Sequence, residues 1–238
     1  MFFKFVKNYD MSKTFLFIGA SSDIANSALL ALKSENHKVI GISRNASEQE
    51  FDNFYTIEKY DTEHLPDIEE TIDGLVYFPG SIVLKSFSQL KKEDYINDLE
   101  INTLGAVMSI QKYLPNLKKS LTPSIVLISS VATHIGLPFH CSISLAKAGL
   151  EGFAKALSAE LAPKVRVNIV SPSLTNTKLA SKLLNTPEKI EQAQKRNPLQ
   201  KVGSAEDIAN AICFLLSEKS QWITGQNIQV DGGMAAIK

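Results

Sequence analysis

The chain has 238 residues, 44% of them hydrophobic and 21% charged, which suits an α/β domain with a sizeable core and excludes a disordered chain. Its 25 Lys and Arg balance 25 Asp and Glu, so there is no overall basic field to draw in nucleic acid. No run of about 18 apolar residues exists to span a bilayer, and the two cysteines, Cys141 and Cys213, have no metal-site or redox spacing and suit a reducing cytoplasm.

The opening "MFFKFVKNYDMSK" lacks the apolar core and small-residue cleavage site of a signal peptide. Two readings are open: residues 1–12 form an N-terminal extension, or Met11 is the start. Strand-length apolar runs then alternate with helix-period segments. The predicted strands are 14–19, 38–43, 54–58, 74–78, 124–130, 165–171 and 227–230. They are rich in β-branched residues and show no polar alternation, as expected of strands buried on both faces. Helical patterns cover 23–35, 64–72, 91–118, 140–162, 187–196 and 204–217. This repetition predicts a parallel sheet with helices on both faces. No linker or repeat interrupts it, so a single domain over 1–238 is the simplest account.

The first strand–helix–strand unit, "FIGASSDIANSALLALKSENHKVIGISRN", has the length of a mononucleotide-binding half. Gly19 permits a tight turn. The helix that follows presents free N–H groups and a positive dipole end, suited to a pyrophosphate. The turn, Ile18-Gly19-Ala20-Ser21-Ser22-Asp23-Ile24-Ala25, resembles the T-G-x-x-x-G-x-G of short-chain dehydrogenases/reductases, but only the first glycine matches. By that resemblance Gly19, Ser21, Ser22 and Ile24 line a cofactor site. Asp23 stands where the second glycine would be; it either caps the helix or faces the phosphates and repels them. Ser43 and Arg44 end the second strand where a ribose would lie. An arginine there accommodates the 2′-phosphate of NADP, whereas NAD calls for an acidic residue. Arg44 therefore favours NADP(H) over the alternative of a solvated surface residue. Asp61, in "EKYDTE", matches the adenine-contacting aspartate of the same family or serves as a loop cap. The family's N-N-A-G appears as Tyr77-Phe78-Pro79-Gly80, with only Gly80 retained.

Later matches extend the resemblance over nearly all the remaining chain. "EINTLGAV" carries Asn102, "IVLISS" ends in Ser130, and "SLAKAGLEGFAKALSAEL" carries Lys147. "VRVNIVSPSLTNT" is similar to R-V-N-x-x-x-P-G-x-x-x-T, with Ser173 for the glycine and Thr177 kept. Residues 198–233 resemble the C-terminal third of 3-oxoacyl-acyl-carrier-protein reductases. The resemblance implies a doubly wound, Rossmann-like sheet of seven parallel strands in the order 3-2-1-4-5-6-7, and a homo-oligomer, a tetramer or dimer. It also implies four catalytic groups. Serine binds the substrate carbonyl, tyrosine moves the proton, lysine binds the nicotinamide ribose and lowers the phenol pKa, and asparagine holds a relay water.

In the family's register, serine lies thirteen residues before the tyrosine and tyrosine four before the lysine. Counting from Lys147 reaches Ser130, but the tyrosine position holds Ile143. An isoleucine moves no proton. His140, seven residues before Lys147 as in enoyl-acyl-carrier-protein reductases, is one substitute acid. Ser142, Ser144 and His134 are others. The expected activity is NADP(H)-dependent oxidoreduction of a small carbonyl or acyl-thioester substrate with an atypical donor. The loop at about 173–200 would cover the substrate with Leu174, Leu179, Leu183 and Leu184. The alternatives are a lapsed relative kept as a nucleotide-binding or scaffolding subunit, and an enoyl-type reductase using His140.

Overall fold

The computed structural model describes residues 12–237; the choice between Met11 and an extension falls outside them. The strands are β1 (Thr14–Ile18), β2 (Lys38–Ser43), β3 (Asn53–Thr56), β4 (Gly74–Tyr77), β5 (Ser124–Ile128), β6 (Arg166–Pro172), β7 (Thr175–Asn176), β8 (Gly203–Ser204) and β9 (Asn227–Val230). The helices are α1 (Asp23–Ser34), α2 (Lys92–Leu99), α3 (Gly105–Leu117), α4 (Cys141–Leu161), α5 (Pro187–Arg196) and α6 (Ala205–Leu216). A π-helical turn, Glu100–Leu104, joins α2 to α3.

Seven strands form one sheet in the order β3-β2-β1-β4-β5-β6-β9. Every pairing is parallel. This is the expected 3-2-1-4-5-6-7 arrangement. The period of two along each strand divides the core into two layers. Leu16, Ile18, Leu75, Tyr77, Ile125 and Leu127 face α3 and α4. Phe15, Phe17, Val76, Phe78, Val126 and Ile128 face α1 and α6. Burying each such side chain contributes about 1.5–3 kcal/mol. That gain on both faces explains why the strands read as unbroken apolar runs.

The helix expected over 64–72 does not form; the segment is turns and extended chain. Pro66 removes a helical donor. The freed carbonyls are bonded from α3 and the turn that follows it instead. Tyr113 Oη donates to Pro66 O, Asn116 Nδ2 to Ile68 O and Glu70 O, and Lys119 Nζ to Glu69 O. The helical stretch expected over 91–118 is present without interruption over 92–117, with a π-helical turn inside it, and the strand expected to reach 130 ends at Ile128. The short β7–β8 pair was not foreseen; it closes the base of the loop that carries α5. No helix among the described residues is long and apolar enough to cross a membrane.

Candidate active site

The strand order reverses between β1 and β4, and a crevice at the carboxyl ends of the strands is the expected ligand position in such a sheet. Four segments meet there: the turn after β1, the end of β2, the loop after β4, and the first half of α4.

Gly19 has φ +78°, and a side chain there would meet the Pro79 ring at 2.7 Å. Only glycine satisfies both constraints. Ser22 caps α1, its Oγ accepting from Ala25 N at 3.2 Å. The amides of Asp23 and Ile24, which open α1, have no acceptor among the described residues. Ser21 and Ser43 share a hydroxyl hydrogen bond of 2.7 Å, tying the turn to β2. Asp23 faces across the crevice: its Oδ2 accepts from Lys178 N at 2.5 Å. The carboxylate thus bridges the start of α1 and the loop after β7. Thr177 caps that loop's 3-10 turn and receives Ala180 N at 3.4 Å.

Arg44 is exposed, its guanidinium lying over the Tyr60 ring at 5.4 Å. Tyr60 in turn meets Tyr77 edge-on at 6.0 Å. The two aromatic replacements at 77 and 78 do not fill the crevice. Tyr77 is buried with its hydroxyl donating to Ile101 O at 2.6 Å, and burial raises its phenol pKa well above the ordinary range. Phe78 turns to the other face of the sheet and packs on Phe17 at 5.0 Å. Asp61 takes the capping role: Oδ1 accepts from His64 N at 3.0 Å and pairs with His64 Nδ1 at 2.6 Å. The bond from His64 holds the Asp61 carboxyl below its usual range.

The chemical end of the crevice is built by α4 and the π-helical turn. Thr103 Oγ1 donates to Ala146 O at 2.7 Å, fixing the turn against α4 beside Lys147. Asn102 is fully buried. Its Nδ2 donates to Asp98 O at 2.9 Å and to Ser81 Oγ at 2.8 Å, while its Oδ1 has no partner among the described residues. The side-chain bond to the carbonyl one turn earlier accompanies the widened helical turn. Lys147 is 6% exposed and donates to Ile128 O at 2.7 Å. A side chain at Gly80 would lie 3.5 Å from Asn102 Oδ1 and 3.9 Å from Lys147 Nζ, so Gly80 keeps this space open between them. Burial pulls the Lys147 ammonium down to about 7, against the opposing pull of the Asp98 and Glu151 carboxylates.

The remaining candidates are more scattered. Ser130 lies two residues beyond the end of β5, and its Oγ accepts from Ala132 N at 3.2 Å. Ile143 is buried but belongs to neither core layer. His140 sits at the N-cap of α4, its Nδ1 held 2.7 Å from Pro138 O, two helical turns before Lys147. Ser142 Oγ bonds Asp94 O at 3.3 Å and Ser144 Oγ bonds Ala132 O at 2.9 Å, so both hydroxyls are spent on backbone. His134 stands with Glu151 (3.5 Å) and Asn227 (2.9 Å) on the flank of α4. Two members of the site escaped sequence reading, Asp98 and Ser81. Asp98 is fully buried, one Oδ accepting from Ser81 Oγ and the other without a partner. Its spacing, one helical turn before Asn102, was the available signal.

The family model described as Enoyl-(Acyl carrier protein) reductase matches residues 61–235. The 3-oxoacyl-[acyl-carrier-protein] reductase FabG of Buchnera aphidicola is 31% identical, covering 93% of this chain and 97% of that one. Among solved structures, a short chain dehydrogenase family protein from Francisella tularensis superposes with a TM-score of 0.86 at 26% identity, over 94% of this chain and 99% of that one. ElxO with NADP bound superposes with a TM-score of 0.83 at 24% identity, over 94% of this chain and 99% of that one. A tyrosine-to-phenylalanine variant of ElxO has been solved with NADPH bound.

Proposed function

The chain belongs to the short-chain dehydrogenase/reductase family, related to 3-oxoacyl-acyl-carrier-protein reductases, and from this premise we propose that it is an NADP(H)-dependent reductase of a small carbonyl or acyl-thioester substrate, working without the usual phenol. The observation that carries the reading is the buried Lys147 beside Asn102 and Gly80 at the carboxyl ends of the strands.

The residues present fit a dinucleotide at both ends. Gly19 and the open amides of Asp23 and Ile24 would receive the pyrophosphate, and Arg44 and Ser43 the phosphorylated ribose. Lys147 would hold the nicotinamide ribose, and Thr177 the carboxamide end. The unpartnered Oδ1 of Asn102 is an acceptor waiting for a donor. When bound, the reduced cofactor supplies a hydride to the carbonyl carbon. The chain's own task is then to place the carbonyl oxygen at Ser130 and to deliver one proton to it. Ile143 takes no part in that transfer. The 173–200 segment would cover the substrate; the Asp23–Lys178 bond ties it to the start of α1 and Leu179 borders the space at Gly80. A homo-oligomer is consistent with the apolar side chains exposed on the α3–α4 side, Leu104 and Leu145. Ile143, which moves no proton, favours a second reading: a nucleotide-binding subunit with no turnover.

Titration with NADPH and NADH, followed by assay of acetoacetyl and crotonyl thioesters, tests this. NADPH binding with acetoacetyl turnover supports the reductase. Crotonyl turnover abolished in His140→Ala transfers the case to an enoyl-type reductase. Binding without turnover leaves the subunit reading, and binding of neither nucleotide removes both.

A further inference from the structure

We propose that Asp98 is the internal counter-ion that keeps Lys147 an ammonium, and that Lys147 is thereby the proton-carrying group of this site. The inference rests on the reductase reading for its chemistry but not for its electrostatics.

Three observations support it. Asp98 is fully buried, yet one of its carboxylate oxygens has no hydrogen-bond partner among the described residues. A carboxylate in that position needs a cation or a donor nearby, because desolvating it alone is costly. Lys147 has three N–H donors and spends one, on Ile128 O. The spare acceptors are Asp98 Oδ2 and Asn102 Oδ1, both buried, and Asn102 is bonded to the Asp98 backbone on one side and borders the space beside Lys147 on the other. A side chain at Gly80 would touch both Asn102 Oδ1 and Lys147 Nζ, so its absence leaves the space beside the ammonium clear.

Second, Asp98 is held in place from two sides. Ser81 Oγ donates to Oδ1, and Asn102 Nδ2 donates both to Ser81 Oγ and to Asp98 O. This chain of bonds links the loop after β4, α2 and the π-helical turn, so the carboxylate has no freedom to swing to solvent.

Third, the other charged groups around Lys147 are already engaged. Glu151, on α4 itself, accepts from Ser129 Oγ and Thr133 Oγ1 and lies 3.5 Å from His134. Asp94, on α2, is paired with Lys85 at 2.7 Å. Ser81, Ser129 and Ser130 on the facing loops are neutral. Asp98 is left as the carboxylate with unspent capacity.

The step balances simply. The Lys147 ammonium gives one proton to the substrate oxygen as the carbonyl carbon accepts a hydride, leaving an alcohol and a neutral amine. The amine regains its proton from water. Asp98 acts through Lys147 as a positioning residue and does not touch substrate.

The test is the titration of Lys147 in protein labelled with 13C at lysine Cε, its resonance assigned by its loss in Lys147→Met. Asp98→Asn keeps an acceptor for Ser81 and removes the charge. It should lower the Lys147 midpoint by about one unit or more. The alkaline limb of the kcat/KM profile for NADPH-dependent reduction should move down with it. Asp98→Leu, suited to the burial, should shift the midpoint in the same direction if the asparagine variant folds poorly. Asp98→Glu should restore most of it. A Lys147 midpoint unmoved in both neutral variants overturns the proposal, even where NADPH binds and turnover persists. Loss of NADPH binding with the shift intact overturns the reductase reading instead and leaves the ion coupling standing.

Discussion

Replacing Lys147 by methionine should change how stability depends on pH, by an amount the structure sets. Lys147 is 6% exposed, with one hydrogen bond to Ile128 O. Burial lowers its pKa from the usual 10.5 to about 7. In the unfolded chain the amine titrates at about 10.4. Between these values the unfolded chain holds a proton that the folded protein has shed, so stability rises with pH. Below the folded value both states carry the proton, and above the unfolded value neither does, so the slope vanishes outside the window. The limiting slope is about 1.4 kcal/mol per unit. From pH 7 to 9, where the folded amine starts half-titrated, it integrates to about 2 kcal/mol. Urea unfolding of wild type and Lys147→Met at pH 6, 7, 8 and 9, at one protein concentration, measures it. The wild type should gain about 2 kcal/mol on the variant between pH 7 and 9 and only a few tenths between pH 6 and 7. Two stability curves that run parallel over pH 7–9 would refute the assignment of a desolvated, depressed lysine.

Three further outcomes are expected. Ile143→Tyr should raise kcat/KM for acetoacetyl thioester reduction, measured by NADPH consumption, by less than the ~10²–10⁴-fold that a positioned general acid contributes, because Lys147 already carries the proton; a gain of that full size would mean that no general acid acts at this site in the wild type. Arg44→Ala should weaken NADPH about 10-fold or more while leaving NADH nearly unaffected, because a charge-assisted bond to the 2′-phosphate contributes about 1.5–3 kcal/mol; equal losses in calorimetry would dismiss the phosphate contact. Asp23→Asn keeps an oxygen for Lys178 N but removes the charge facing the pyrophosphate. It should tighten NADPH about five-fold or more, since like charges near a surface repel by about 1 kcal/mol or more, and a weaker Kd would show that the carboxylate is not opposed to the ligand.

The fold was legible because its signals are repetitive. Strands buried on both faces read as apolar runs, and the helices between them as period-3.6 segments. The error at 64–72 is instructive. The apolar residues Leu65, Ile68 and Ile72 are indeed buried, but the carbonyls between them are bonded by Tyr113, Asn116 and Lys119. Helical spacing reports burial; it does not report which donors reach the backbone from a distant helix. The site was legible only where a backbone constraint or a spacing encodes it. Gly19 announces its positive φ, and Lys147 and Asn102 stand in register. Asp98 and Ser81 were not, because a lone aspartate in "YINDLEIN" looks like any solvated helix residue until the fold turns that face inward. Asp61 and Asp23 show the same ambiguity. The sequence marks each as a cap or a ligand contact, and the fold gives one a histidine and the other the amide of Lys178.

The two unusual residues beside Lys147 have one electrostatic logic. Ile143 stands one helical turn before the lysine on α4, where a phenol would have offered a polar neighbour and a titratable proton. A hydrocarbon there raises the cost of the ammonium, which is the sense in which burial depresses it. The Asp98 carboxylate, on α2, opposes that cost. Remove the phenol alone, and the buried lysine would be neutral at physiological pH and unable to give a proton. Add the buried carboxylate, and the lysine titrates near neutrality, the range in which a general acid is most effective. Under the proposed mechanism Ile143 and Asp98 therefore belong together: a site without a phenol would keep a proton donor because the charge one turn before Asn102 holds Lys147 in reach of its ammonium form.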